Sequence, residues 1–290
     1  MKTTVAKSDR HHGKAIRDRA ELSMTFTSVM VHLDLEHAND ACLRVALECA
    51  DTFNAKLIGI AAATGQYYGD EAQGPQQQLH ADITKRLAQA EDRFRSMSAP
   101  RKVEWRSATT RPAEYVSREA RAADLVVTGA QRNGFMSDLA GNLDPADLVM
   151  QVGRPILVVP PLVQSLKLKL AMVCWKDTRE ARRAVSDALP LLRKTQEVVV
   201  VEVIPDESDR DAAHNRLDDV ISWLERHGIG AFARVFHCPE RQNPMEKLFQ
   251  YGADFIVAGA YGHTRLREWA FGGFTHDLLR RSPLCSLLAH

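Results

Sequence analysis

The chain repeats itself. Asp124-Leu-Val-Val-Thr-Gly-Ala130 is matched by Asp254-Phe-Ile-Val-Ala-Gly-Ala260: an acidic residue, three apolar positions, a small residue, Gly and Ala in the same order. Pro112-Ala-Glu114 is matched by Pro244-Met-Glu246, and Arg154-Pro-Ile-Leu-Val-Val159 by Ser282-Pro-Leu-Cys-Ser-Leu-Leu288. The spacings are 130, 132 and 128 residues, so two units of like length follow one another.

Each unit alternates strand and helix signals. In the first, Ser28–Leu33 reads as a strand. Cys42, Val45, Ala46 and Cys49 then fall at i, i+3, i+4 and i+7, the apolar stripe of a helix. A strand at Lys56–Ile60 follows, then a long helix through Ile83, Leu87, Ala90, Phe94 and Met97 and a strand at Val103–Ser107. A helix through Val116 and Ala120, a strand at Leu125–Thr128, a helix at Asp144–Val152 and a strand at Ile156–Val159 complete the unit. The second repeats this order, with strands at Leu170–Trp175, Val198–Ile204, Ala231–Phe236, Phe255–Ala258 and Cys285–Ala289. Apolar strands separated by helical stripes mean right-handed βαβ crossovers and a parallel sheet. The expected fold class is therefore α/β, two tandem doubly wound, Rossmann-like parallel-sheet domains.

The expected boundaries are an extension at 1–23, a first domain at 24–161 and a second at 166–290, joined near Pro160-Pro161, where two prolines stop the strand. Residues 1–23 hold six basic and three acidic residues with no apolar core, which reads as a disordered extension and not a secretory signal. The Gly- and Gln-rich stretch Thr64–Gln78 reads as a surface excursion.

Charge narrows the partners. The whole chain carries 38 Lys+Arg against 37 Asp+Glu, and setting the extension aside leaves 32 against 34. No broad basic field exists to hold nucleic acid. No apolar run approaches the ~20 residues of a membrane span. Five scattered cysteines without a CxxC pair argue against a disulfide framework or zinc knuckle and for a cytoplasmic setting. Cys238 beside His237 shows no activating partner, and the histidines form no HExxH. Neither G-x-G-x-x-G nor a Walker sequence is present.

In an open α/β sheet, ligands settle outside the carboxyl ends of the strands, where the winding reverses. The richest such turn follows Phe255–Ala258 and places Gly259, Gly262, Gly272 and Gly273 at a spacing G-x2-G-x9-G-G. Glycines there let main-chain N–H groups approach a phosphate, and Gly272-Gly273 leads into a helix whose N-terminus is electropositive. Thr275 adds a hydroxyl, and Arg265 or Arg267 a charge. The same glycines also suit a tight turn and a helix cap.

With this loop and the closing strands Arg154–Val159 and Ser282–Leu288, the chain resembles the universal stress protein family in its tandem form, over about 25–160 and 168–290. The family motif G-x2-G-x9-G-[Ser/Thr] is similar to the run from Gly259 through Gly262 and Gly272 to Gly273. The resemblance implies a domain that holds ATP or AMP, with phosphates on this loop and adenine near the first two strands, where Val203 offers a main-chain contact. It departs from the family in two places. Gly273 replaces the hydroxyl residue, and Lys176 takes the place of an Asp after the first strand of the second unit. Lys176 is then either a phosphate ligand or a solvated charge, with Asp177 one residue too late to substitute.

The first unit is the reverse. Asp34 stands at the family's Asp position, but its loop carries Arg132 where the second glycine belongs, and Gly134 and Gly141 fall at the wrong offsets. The expectation is a degenerate first domain, with Arg132 paired to Asp34 or Asp138, and a nucleotide site in the second. The function implied is a non-enzymatic stress-response regulator whose partner surface responds to the nucleotide. The alternative is a tandem scaffold that has lost the nucleotide and acts through protein contacts. Catalysis, for which only Glu268 and Asp277 lie near the loop, is the least supported reading. Family dimers pair their last strands, so Ile156–Val159 and Cys285–Ala289 are expected to pair within one chain as a pseudo-dimer. The sequence leaves open whether two such chains form a homodimer.

Overall fold

A computed structural model describes residues 25–64, 76–130, 143–239, 244–260 and 274–290. The first half runs β1 Ser28–His32, α1 Asp40–Phe53, β2 Lys56–Ala62, α2 Gln76–Ser98, β3 Glu104–Ala108, α3 Pro112–Glu119, β4 Leu125–Gly129, α4 Pro145–Gln151 and β5 Ile156–Val159. The second runs β6 Leu170–Trp175, α5 Arg179–Lys194, β7 Glu197–Ile204, α6 Arg210–Arg226, β8 Ala231–His237, α7 Met245–Gln250, β9 Phe255–Gly259, α8 Phe274–Arg281 and β10 Cys285–Ala289.

Local chemistry sets the element ends. Asn54 closes α1 in the left-handed region at φ 50°, which Asn tolerates. Asp144 caps α4 by accepting from Ala146 N–H, with Pro145 at the first helical position, where its missing N–H costs nothing. Thr178 caps α5 by accepting from Ala181 N–H at 3.3 Å. The acidic residue that opens each repeat signature is a clamp between neighbouring strands. Asp124 Oδ2 accepts from Thr27 N–H at 2.7 Å and Ser28 N–H at 2.9 Å. Asp254 Oδ2 accepts from Lys169 N–H at 3.0 Å and Leu170 N–H at 2.9 Å. The signature is thus conserved between the halves because it fixes strand alignment.

All ten strands form one sheet, ordered β3-β2-β1-β4-β5-β10-β9-β6-β7-β8. Every pairing within a half is parallel. The halves join antiparallel, with Leu287 opposite Leu157, Leu288 opposite Ile156 and Ser286 opposite Val158. This is the intrachain pairing of last strands expected from the sequence, and it leaves β3 and β8 as the edges.

Both faces of the sheet are covered. One core, with Val29, Leu57, Leu157, Val200 and Leu287, lies under α1, α2, α5 and α6. The other, with Met30, Val126, Leu148, Ile256 and Leu288, lies under α3, α4, α7 and α8. The joint is anchored: Leu166 N–H donates to Glu48 Oε2 of α1 at 2.6 Å, and Val163, Leu166 and Leu168 pack on the first core.

Two expectations change. The excursion assigned to Thr64–Gln78 is shorter, because Gln76–Gln78 already form the first turn of α2, glutamine being a good helix former. The helix expected through Val116 and Ala120 is α3 followed by a 3₁₀ turn at Ala120–Ala122. Among the described residues, no helix is long and apolar enough to cross a membrane.

Candidate functional site

In the second half the winding reverses between β6 and β9, which are neighbours, with Cys174 beside Ala258. On the other side of β6, Trp175 lies beside Glu202 of β7. Lys176, Val203 and Gly259 each follow one of these residues, so three of the residues singled out in the sequence lie together at the carboxyl-terminal edge of the sheet, where these strands end.

Gly259 has a packing role. A Cβ built there would sit 2.5 Å from Ala181 N and 2.6 Å from the Glu180 carbonyl carbon, inside the first turn of α5. Only glycine lets β9 run this close to that helix. Ala260 is then tied down: its N–H donates to Ala289 O at 2.8 Å, and its carbonyl contacts His290 Nδ1 at 3.0 Å. The turn therefore leaves the sheet from a fixed point.

Val203 is half-buried on the face shared with α8. Glu197 N–H bonds to Lys169 O on the β6 side, and Ile204 O accepts from Cys238 N–H on the β8 side. Main-chain groups alternate sides along a strand, so those of Val203 turn toward β6, whose last residue is Trp175. Lys176 is exposed, and its ammonium has no carboxylate partner among the described residues. The neighbouring Asp177 is paired with Arg182.

Thr275 is buried in the first turn of α8, as is Asp277, whose carboxylate lies 3.5 Å from Arg281. Gly262, Gly272 and Gly273, with Arg265, Arg267, His263 and Glu268, lie outside the described residues. Cys238 is buried, which removes it as an accessible nucleophile.

Glu180 was not singled out by the sequence. It is fully buried in the first turn of α5, beside the glycine contact. Burial alone would raise its carboxyl. Hydrogen bonds from Arg179, its own N–H and the Thr178 hydroxyl hold it below the usual glutamate range instead. Among the described residues, its Oε2 has no hydrogen-bond partner. The available signal was its place at the electropositive end of a helix, directly after the cap.

The equivalent edge of the first half is built differently. His32 and Thr128 occupy the positions of Cys174 and Ala258, with the Thr128 hydroxyl 3.4 Å from His32 Nδ1. Burial lowers the His32 pKa to about 4, against an opposing pull from Asp34. Asp34 is engaged locally: it accepts from Glu36 N–H at 2.7 Å, meets His37 Nδ1 at 2.9 Å, and its main chain is bracketed by the Asn39 amide. Burial would raise its carboxyl, but these bonds hold it low. Arg132, Asp138, Gly134 and Gly141 lie outside the described residues. Gly129, the counterpart of Gly259, is less crowded: among the described residues a Cβ there would meet only Cys42 Sγ, at 3.6 Å. Among the described residues, no cluster of His, Cys, Asp and Glu could hold a metal ion.

Solved structures share this architecture. A universal stress protein from Archaeoglobus fulgidus DSM 4304 superposes with a TM-score of 0.69 at 13% identity, covering 91% of this chain and 98% of its own. The fold is that of the universal stress proteins. A functionally unknown protein from Pseudomonas aeruginosa PAO1 aligns over 92% of this chain and 93% of its own, with a TM-score of 0.58 and 12% identity. A universal stress protein solved in complex with cAMP is 25% identical over 47% of this chain and 98% of its own, with a TM-score of 0.33. No family model and no curated protein matches the sequence. The carboxyl-terminal edge at β6 and β9, where the winding reverses, is the position ligands take in open α/β sheets.

Proposed function

We propose that the chain is a universal stress protein that works as a non-enzymatic regulator, binding ATP or AMP in its second half. The observation that supports it is the meeting of Lys176, the inward main-chain groups of Val203 and the Gly259 turn at the β6/β9 edge. In this reading Lys176 takes a phosphate in place of the missing acidic residue, since an ammonium is a ready phosphate partner. Val203 offers its main chain to adenine, and the N–H groups of the loop from Gly259 through Gly262 to Gly272 and Gly273 cradle the phosphates. The Thr275 side belongs to the helix that follows them. The first half would keep the fold without the ligand, because His32 fills the floor of the edge where the second half has Cys174. Occupancy would bias a surface read by a protein partner.

Titration calorimetry with ATP and AMP tests this. Binding to the native chain is expected, weakened about tenfold by Lys176→Gln, the order of one charge-assisted hydrogen bond, and abolished by Gly262→Trp. Absence of heat with both nucleotides, together with no nucleotide released from gently purified protein, would leave the scaffold reading in its place.

A further inference from the structure

On the sheet face opposite α8, a cavity of about 330 Å3 opens between α5 and α6. Trp175 and Trp223 wall it, Val185 and Val220 line it between them, and Arg216 and Asp219 stand on its α6 side. The Asp177–Arg182 pair completes the rim.

The repeat shows how this cavity arises. In the first half two arginines of α2 reach across to the α1 side: Arg86 pairs with Glu36 and Arg93 with Asp40. Their counterparts 130 residues later are Arg216 and Trp223. Arg216 turns instead to Glu202 at 2.6 Å and Asp209 at 3.1 Å, and the second arginine has become an indole. Among the described residues, no ion pair joins α5 to α6. What closes the groove in one half is missing in the other, and two indoles stand in the space.

The charges decide the ligand class. Both arginines of the cavity already hold carboxylates, whereas Asp219 is exposed and has no partner among the described residues. The Trp175 indole stays in the wall although its buried N–H finds no acceptor among the described residues. Two indoles in the wall, an apolar floor and one uncompensated carboxylate suit a flat organic cation. We infer that the α5–α6 cavity is a second binding site, for a small aromatic or alkylated ammonium-type cation, on the sheet face opposite α8.

The full chain titrated with 1-methylquinolinium, followed by tryptophan fluorescence and calorimetry, tests the inference. Quenching with a matching heat is expected, whereas 1-naphthoate, an anion of like size, should give neither. Asp219→Asn should weaken the cation about fivefold, and Trp223→Leu should remove its binding, with circular dichroism confirming the fold. No heat up to about 10 mM, equal binding of the anion, or unchanged affinity in Asp219→Asn would each overturn it. Asp219 is exposed and outside the core, so that variant decides the matter even if Trp223→Leu fails to fold.

Discussion

Two residues of matching position in the halves do unequal work, and the difference is steric. Gly259 and Gly129 both end the strand of a repeat signature, yet only at Gly259 does a Cβ fall within 2.5 Å of helix backbone. Backbone cannot move aside as a side-chain tip can. Gly259→Ala is therefore expected to lower stability by about 1–3 kcal/mol, while Gly129→Ala stays within about 0.5 kcal/mol; urea denaturation of both variants is the check. His32 adds a pH dependence of known sign. Its pKa falls from 6.5 to about 4 on folding because burial disfavours the imidazolium. Between those values the unfolded chain binds the extra proton, so stability decreases as pH falls from 6.5 toward 4 and this contribution is flat outside the window. The full shift corresponds to about 3 kcal/mol. His32→Gln should flatten the stability profile in that window, whatever it does to stability at pH 7. A profile as steep as that of the unmutated chain would show that another group titrates there.

Strands and helices were legible because their signals are local. The apolar runs Ile156–Val159 and Cys285–Ala289 became strands with the same limits, and the stripe through Cys42, Val45, Ala46 and Cys49 became the buried side of α1. The site was legible only as a loop position. That Gly259 presses on α5, that Asp34 spends its carboxylate on its own turn, and that Trp175 and Trp223 face one cavity all depend on residues brought together by crossovers, which spacing cannot reveal. The edge strand β8 shows the same limit. Its outward carbonyls are occupied by cations: Ala233 O by Arg234 at 3.1 Å, Val235 O by Arg210 at 3.4 Å and His237 O by Lys247 at 2.8 Å. Filled acceptors and a row of charge discourage another strand from adding to this edge. The double variant Arg234→Val, Lys247→Ala is expected to associate with rising concentration, measured by sedimentation velocity. A variant that remains as dispersed as the unmutated chain would mean that the edge is protected by something else.

At the scale of the whole molecule, the antiparallel join of β5 and β10 turns two repeats into one sheet. The cores do not stop at the join: Leu157 and Leu287 lie in the same cluster on one face, and Ile156 and Leu288 in the same cluster on the other. Leu157 and Leu287 are also directly opposite in register, and both are fully buried. A half that unfolded alone would expose the inner edge of its neighbour's sheet and the apolar side chains packed across the seam, so partial unfolding is costly from either side. The halves should therefore melt together, with a calorimetric enthalpy equal to the van't Hoff value. Leu287→Ala removes side-chain volume at the join and should cost about 2–5 kcal/mol. The decisive reading is the shape of the melt: a seam that couples the halves moves the whole transition to lower temperature as one peak, whereas a seam that merely touches them splits it into two.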